Sequence, residues 1–112
     1  MIVVVLPAYN EEKGIVPLLQ RIQLVARTWF FEPVKVVVVD DRSEDSTVDQ
    51  VLSLRSEVVE LVRHEHNRGL GEALRTGILA ALKMCQESDV IVTMDADNSH
   101  KSWSDSSNGA VD

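Results

Sequence analysis

Four short runs of β-branched residues alternate along the chain with stretches of helical periodicity, and this alternation limits the possible folds more than any other feature. The runs cover residues 2–6, 34–39, 58–62 and 89–94, and their residue types are those of β-strands. Three of them are apolar at consecutive positions, which is typical of parallel strands covered by helices on both faces. The chain is therefore predicted to form an α/β domain with a doubly wound, mostly parallel sheet.

Apolar residues at helical spacing predict a helix after each of the first three strands. Pro17 fits the first helix only in its first turn, and Ser46 or a neighbour is expected to cap the second. The apolar stripes expected to face the sheet are Ile15, Leu18, Leu19, Ile22 and Val25, then Val48, Val51 and Leu52, then Leu70, Ala73, Leu74, Gly77, Ile78, Ala81, Leu82 and Cys85.

Composition narrows the class of protein. With 112 residues, 45% of them hydrophobic, the chain can form one domain with a real core. Its net charge of −7 argues against a nucleic-acid partner, which would require clustered lysine and arginine. The single cysteine, Cys85, excludes an internal disulfide and is expected to be a small core residue.

No apolar run reaches the roughly 20 residues that a membrane-spanning helix needs, and the N-terminus lacks the features of a signal peptide. A soluble, cytoplasmic protein without a transmembrane segment is expected. Trp29, Phe30 and Phe31 follow the first helix; packing under the sheet edge is the favoured interpretation, and a membrane-touching patch, hence a peripheral position, is the alternative.

Each strand is followed by a polar connection, and ligands of open α/β sheets bind outside the carboxyl ends of the strands. After the fourth strand, Asp95 and Asp97 can reach one cation, and carboxylates are ligands that Mg²⁺ and Mn²⁺ prefer. The alternative is that the two aspartates form a turn and cap a following helix.

The other connections allow two interpretations each. Asp40 and Asp41 could offer an exposed carboxylate to a base or a ribose, or could form a turn or helix cap. In "PAYNEE", Tyr9 could face a base with Glu11 as acceptor, or Asn10 could cap a helix with acidic residues in its first turn.

In "NRGLGE", glycines 69 and 71 let the backbone approach a ligand, and Arg68 adds positive charge before a helix N-terminus. The alternative is a plain helix entry with Asn67 as cap. The three histidines, His64, His66 and His100, lack the spacing of a zinc site.

The stretches "VVVLPAYNEE", "VVVVDDRSEDST", "NRGLGEALRTGI" and "DVIVTMDADNSH" together resemble the successive signatures of family 2 glycosyltransferases with the GT-A fold. The resemblance covers about residues 2–100 and is strongest to the dolichyl- or polyprenyl-phosphate sugar synthases. It implies a UDP- or GDP-sugar donor, Mg²⁺ or Mn²⁺ as cofactor, and transfer with inversion to an acceptor such as a polyprenyl phosphate.

The resemblance also implies roles for individual residues. Asp40 would contact the base and Arg68 would lie beside the base or the phosphates. The nucleoside pocket would be lined by Pro7, Ala8, Tyr9 and Glu11, and the DXD motif would be Asp95, Ala96 and Asp97, with Asp97 the expected direct metal ligand and both aspartates counted as catalytic.

Two departures bear on activity. Family members often have glutamine where this chain has Ser99, and the resemblance ends after His100. Residues 1–100 are therefore expected to be the nucleotide-sugar-binding half of a GT-A domain, and residues 101–112 a polar, disordered tail. The chain alone is expected to transfer sugar weakly or not at all and to associate through an exposed sheet edge. A non-catalytic regulatory or relic protein of the same fold is the main alternative.

Overall fold

The computed structural model of the chain describes residues 1–30, 32–54 and 58–95. The prediction of a disordered tail at 101–112 and the predicted site residues Ala96 and Asp97 fall outside these ranges.

Within the described residues, four parallel strands form the sheet, as the sequence predicts. They are β1 (Ile2–Ala8), β2 (Val34–Asp40), β3 (Val59–Arg63) and β4 (Val90–Thr93), arranged in the order β3-β2-β1-β4. The central strands β1 and β2 are almost entirely buried, which explains why they read as continuous apolar runs.

In this part of the chain an α-helix follows each of the first three strands: α1 (Ile15–Val25), α2 (Thr47–Ser53) and α3 (Leu70–Met84). A π-helical turn, Ala26–Phe30, continues α1. Pro17 is the third residue of α1, so the prediction that it lies in the first turn is confirmed. Ser46 occupies the N-cap position of α2 but makes no capping bond with its side chain.

Alternate residues of β1 and β2 face opposite sides of the sheet, and each side packs against its own helices. One core joins the sheet to α1 and α2, and the other joins it to α3, so the prediction of helices on both faces is confirmed. Fully burying one valine side chain contributes about 1.5 kcal/mol or more. The first core contains Val4, Leu6, Ala8, Ile15, Leu19, Ile22, Val36, Val38, Val51 and Val59; the second contains Val3, Val5, Val37, Val39, Ala73 and Ala81.

Helix α3 approaches the sheet through its small residues. A Cβ atom on Gly77 would lie 2.3 Å from Cγ1 of Val5 and 3.0 Å from Cγ2 of Val39, so only glycine permits this approach. The line Ala73, Gly77 and Ala81 faces the strands, and this close packing fixes the position of the helix along β1 and β2.

The predicted apolar stripes are wrong at three positions. Leu82 of α3 is 57% exposed and Leu52 of α2 is 44% exposed, and Val25 at the end of α1 is also exposed. The helical period was correct, but it cannot say which of two neighbouring residue lines faces the sheet. Cys85 is half-buried and packs against the second core, between α3 and the sheet.

Strand β4 lies at the edge of the sheet, and apolar side chains there remain accessible. Val90 is 55% exposed, and Val92 and Met94 are also exposed. They line an open apolar groove of about 530 Å³ together with residues of α1 and β1. Trp29 is 74% exposed, so the favoured interpretation of packing under the sheet is wrong for this residue; Phe31 and the side chain of Phe30 lie outside the described part.

An ion pair joins the amino ends of β1 and β4. The Met1 ammonium lies 2.9 Å from Oδ1 of Asp89 and 3.2 Å from Oε1 of Glu32. The Asp89 carboxylate, followed by that of Glu32, raises the pKa of the amine. The Gln86 backbone N–H, which donates to Oδ2, and then the amine lower the pKa of Asp89.

Among the described residues, no helix has both the length and the apolar character to cross a membrane.

Candidate functional site

The strand order places a topological switch point between β1 and β4. From β1 the chain builds outward through β2 to β3, and then returns to add β4 on the other side of β1. In open α/β sheets the ligand site lies beyond the carboxyl ends of the two strands that flank this point. The backbone N–H of Met94 donates to the carbonyl oxygen of Val5, 3.0 Å away. Asp95 is the next residue and is exposed, so it stands at the switch point.

The predicted nucleoside-pocket residues of "PAYNEE" occupy different depths. Pro7 and Ala8 are the last two residues of β1 and are buried, and Tyr9 follows them and is half-buried. Pairing between β1 and β4 ends at Val5 and Thr93, so the N–H that Pro7 lacks would face the side where no ladder partner remains. Proline is thereby tolerated in a central strand at the edge of the candidate site.

Reciprocal hydrogen bonds join the loop after β1 to the loop after β2. The Asn10 backbone N–H donates to Oγ of Ser43 at 2.9 Å, and the Glu44 N–H donates back to Oδ1 of Asn10 at 2.8 Å. Asn10 adopts a φ of 55°, which asparagine tolerates better than most residues. The alternative that Asn10 caps a helix is wrong, because α1 begins at Ile15 and has Gly14 at its N-cap.

A second set of bonds extends the same junction. The Glu12 N–H donates to Oδ2 of Asp45 at 3.3 Å, and the Ser46 N–H donates to Oε1 of Glu12 at 3.0 Å. The Glu11 N–H donates to Oγ1 of Thr47 at 2.8 Å, and Glu11 itself is buried. The backbone of the predicted pocket is thus fixed by the neighbouring loop.

Asp40 is fully buried and supports a turn. Its carboxylate accepts hydrogen bonds from the backbone N–H and the hydroxyl of Ser43, and Nε of Arg63 lies 3.5 Å from Oδ2. The expectation of an exposed carboxylate after β2 is therefore wrong for Asp40 and also for Asp41, which is equally buried. A contact between Asp40 and a base remains a prediction that requires this turn to open.

The Asp41 carboxylate accepts hydrogen bonds from the backbone amide groups at the start of α3. The backbone N–H groups of Arg68 and Gly69 donate to Oδ1 and Oδ2 of Asp41, each at 2.8 Å. Gly69 has a φ of 93°, a conformation that strongly favours glycine. The anion-binding amides predicted there thus hold a carboxylate of the chain itself, while the Arg68 side chain stays exposed.

Asn67 does not cap α3, since the N-cap is Gly69. Its side-chain amide instead donates to the carbonyl oxygen of Asp41 at 3.2 Å. His64 is buried, and its Nδ1 lies 2.8 Å from Oδ1 of Asp41. The sequence analysis assigned no role to His64 and did not predict its contact with Asp41, although both residues follow paired strand ends, Asp40 being opposite Arg63.

The metal-binding prediction rests on residues that the structure describes only in part. Asp95 is exposed at the switch point and offers the oxygen ligands that hard cations prefer, whereas its predicted partner Asp97 lies beyond residue 95. Among residues 1–30, 32–54 and 58–95, no three histidine, cysteine, aspartate or glutamate side chains come together as a metal cluster.

The parallel sheet, its switch point and its polar strand exits define an open α/β protein with its candidate site at the carboxyl edge of the sheet. Residues 3–103 match the family described as glycosyl transferase family 2. The chain belongs to this family.

Relatives agree with this assignment. The chain is 35% identical over 98 residues to the dolichol-phosphate mannosyltransferase of Pyrococcus furiosus, covering 87% of this chain and 26% of that protein. Its fold is that of the GT-A glycosyltransferases. It superposes on S. aureus TarS in complex with UDP with a TM-score of 0.68 and 28% identity, over 86% of this chain and 27% of that one.

A second structural neighbour was solved with a metal. Glucosyl-3-phosphoglycerate synthase from Mycobacterium tuberculosis, in complex with Mn²⁺, UDP and phosphoglyceric acid, superposes with a TM-score of 0.61 and 30% identity. That match covers 87% of this chain and 33% of the synthase. The chain spans between 26% and 42% of the length of the first curated relatives that it matches.

Proposed function

We propose that this chain is the donor-binding part of a family 2 glycosyltransferase that binds a UDP- or GDP-sugar with a divalent cation. The observation that carries the proposal is the position of Asp95, an exposed carboxylate at the switch point between β1 and β4. The UDP-bound structural neighbour and the neighbour that holds Mn²⁺ and UDP support the ligand class.

In this proposal each exit loop has a separate task. Asp95 and Asp97 hold the cation, and Ala96 completes the DXD motif. Tyr9 and Glu11 border the nucleoside, above a floor formed by Pro7 and Ala8. Arg68 presents its exposed guanidinium to the base or the diphosphate, and Asp40 contacts the base if its turn opens.

The proposed reaction breaks the bond between the anomeric carbon and the diphosphate oxygen, and forms a bond from that carbon to an acceptor oxygen on the opposite face. Inversion follows from this geometry. When bound, Mg²⁺ or Mn²⁺ would stabilise the negative charge that develops on the leaving diphosphate. An acceptor phosphate is already ionised and needs no general base from the chain.

We further propose a polyprenyl phosphate as acceptor and a peripheral position at the membrane. The relative from Pyrococcus furiosus named dolichol-phosphate mannosyltransferase supports the acceptor class, and the exposed Trp29 offers an aromatic contact suited to a membrane interface. Liposome flotation should recover the chain with the vesicles and should lose most of it in Trp29→Ala; equal recovery would contradict a role for Trp29.

A non-catalytic, nucleotide-sugar-binding regulatory or relic protein of the same fold is the second candidate. Both candidates predict donor binding and little or no sugar transfer by the purified chain. A transfer assay on the purified chain therefore distinguishes both of them from an enzyme that is active by itself. Sugar transfer at ordinary rates, about 1 s⁻¹ or faster, would contradict the expectation of weak or absent activity.

Calorimetric titration of UDP and GDP, with and without Mn²⁺, tests the proposal. We expect one nucleotide to bind only with the metal, and Asp95→Ala and Asp97→Ala to abolish that binding. Glu87→Ala removes one exposed carboxylate from the amino edge of the sheet and should bind like the unaltered chain. Binding that is independent of metal, or equally weak in all three variants, would contradict the proposed site.

A further inference from the structure

A buried polar chain of three side chains lies under the start of α3. Asp41 and His64 are buried, and Nδ1 of His64 lies 2.8 Å from Oδ1 of Asp41. On the other side of the ring, Nε2 lies 2.7 Å from Oγ1 of Thr76 in α3. These three hydrogen-bonded side chains therefore link the end of β2, the end of β3 and the second turn of α3.

The direction of these bonds follows from the groups around Asp41. Backbone N–H groups only donate, so both carboxylate oxygens act as acceptors toward Arg68 and Gly69. We assign the shared proton to Nδ1 of His64, which makes the ring a third donor to Asp41. Nε2 then accepts from the Thr76 hydroxyl, and every polar atom of the ring is satisfied.

Asp41 also holds the loop between β3 and α3 through its main chain, because its carbonyl oxygen accepts the Asn67 side-chain amide. The loop side chains of residues 65–68 are exposed. At the start of this loop the His64 backbone N–H donates to the carbonyl oxygen of Asp40 and the His64 ring lies beside the Asp41 carboxylate; at its end the Arg68 and Gly69 amides donate to that carboxylate. The direction in which Arg68 projects its guanidinium therefore depends on the Asp41 carboxylate.

We infer that Asp41 and His64 are positioning residues for donor binding, which act by fixing the backbone at Arg68 and Gly69. This inference rests on the proposed function, because it assumes that Arg68 contacts the donor. Because Asp41 and His64 are buried, the inference assigns them an effect through the loop and no direct contact with the donor. Their contribution should therefore disappear when the Arg68 side chain is removed.

Two substitutions at His64 separate its two bonds. His64→Asn places an amide nitrogen near the position of Nδ1 and keeps the bond to Asp41, whereas His64→Gln places it near Nε2 and loses that bond. We expect His64→Asn to retain UDP or GDP affinity within about twofold, and His64→Gln to lose about tenfold. Equal affinity losses in the two variants would overturn the inference.

A double-mutant cycle tests whether the effect passes through Arg68. In Asp41→Asn the new amide faces N–H donors, and we expect about tenfold weaker nucleotide binding. Arg68→Ala should weaken binding comparably, and the double variant should bind no more weakly than Arg68→Ala alone. Additive losses would show that Asp41 acts by some route other than Arg68.

Amide hydrogen exchange supplies a readout that needs no ligand. The Arg68 and Gly69 amides should exchange slowly in the unaltered chain and quickly in Asp41→Asn, while the amides of β1 stay protected. Unchanged exchange at Arg68 and Gly69, or loss of protection throughout β1, would overturn the anchoring role. If the unaltered chain binds neither nucleotide, the proposed function and the donor part of the inference fail together, and exchange alone decides the anchoring part.

Discussion

The Ser43 hydroxyl connects two loops of the candidate site. It donates to the buried Asp40 carboxylate and accepts the backbone N–H of Asn10. A residue of this kind affects stability more than its size suggests, because its loss removes the hydroxyl donor to Oδ1 of the buried Asp40 and the acceptor of the Asn10 N–H.

We expect Ser43→Ala to lower the free energy of unfolding by about 1–3 kcal/mol, measured by urea denaturation. Ser53→Ala is the matched control, since its hydroxyl is exposed and donates only to the Gln50 carbonyl oxygen; it should change stability by about 0.5 kcal/mol or less. Similar effects of the two substitutions would contradict the bridging role.

At the residue scale, sequence alone found the positions after the strands but could not find their burial. The pair Asp40 and Asp41 was recognised as unusual at a strand end, yet burial depends on Ser43, Arg63 and the start of α3. The bonds to Ser43 are local, but the contacts with Arg63 and with the start of α3 join segments far apart in the chain, so no local pattern reveals them.

At the element scale, α3 shows why helical periodicity is an incomplete guide. Ala73, Gly77 and Ala81 recur every four residues and face the sheet, while Leu82 on the neighbouring line is exposed. The small residues lie against the strands because the backbone approaches closely there. Helical periodicity placed all of these residues in one stripe, but it did not show that the small residues, rather than Leu82, lie against the strands.

Gly77→Ala should lower the free energy of unfolding by about 1–3 kcal/mol, because its methyl group would clash with Val5 and Val39. In the same helix a Cβ on Gly71 meets no atom within 4 Å. Gly71→Ala should leave stability unchanged or raise it by up to about 1 kcal/mol. The free energies of unfolding of both variants can be measured by urea denaturation. An unchanged value for Gly77→Ala would contradict the close packing of α3.

The ion pair between the amino ends of β1 and β4 predicts a pH dependence. The pKa of Asp89 is lowered from 3.8 in the folded chain. The carboxylate therefore stabilises the fold fully above pH 3.8, and this contribution is lost as the pH falls through the folded pKa. The pKa of the Met1 amine is raised from 8.0 in the folded chain. The ammonium group therefore stabilises the fold fully below pH 8.0, and this contribution is lost as the pH rises through the folded pKa.

Asp89→Asn should therefore lower the urea midpoint most between about pH 4 and pH 8, and less at either extreme. Urea midpoints measured across this range for both chains provide the test. A difference that is independent of pH would show that the carboxylate contributes only a neutral hydrogen bond.

At the scale of the whole molecule, the register of the parallel strands assembles the candidate site. Pairing of Ala8 with Asp40 and of Asp40 with Arg63 brings the first three exits to one edge. Residue types predicted the strands, and the family resemblance predicted the site, but register and strand order are set by the packing of both faces and could not be read from the sequence.

The edge strand β4 predicts self-association of the chain. Val90 and Val92 are exposed beside a strand edge that no described strand covers, and such edges pair with other chains. Sedimentation velocity should show concentration-dependent association that Val92→Lys reduces. Leu79→Lys, which adds the same charge at an exposed leucine of α3, should not reduce it, and equal effects would contradict an edge contact.

The most direct test of a donor site at the carboxyl edge is paramagnetic broadening by Mn²⁺ in the presence of UDP or GDP, observed on the backbone amide signals. A donor site at the carboxyl edge predicts that signals of Tyr9, Arg68 and Asp95 broaden first, while those of Glu87 and Asp89 at the opposite edge persist. Broadening centred on Glu87 and Asp89, or no selective broadening at all in the folded chain, would contradict it.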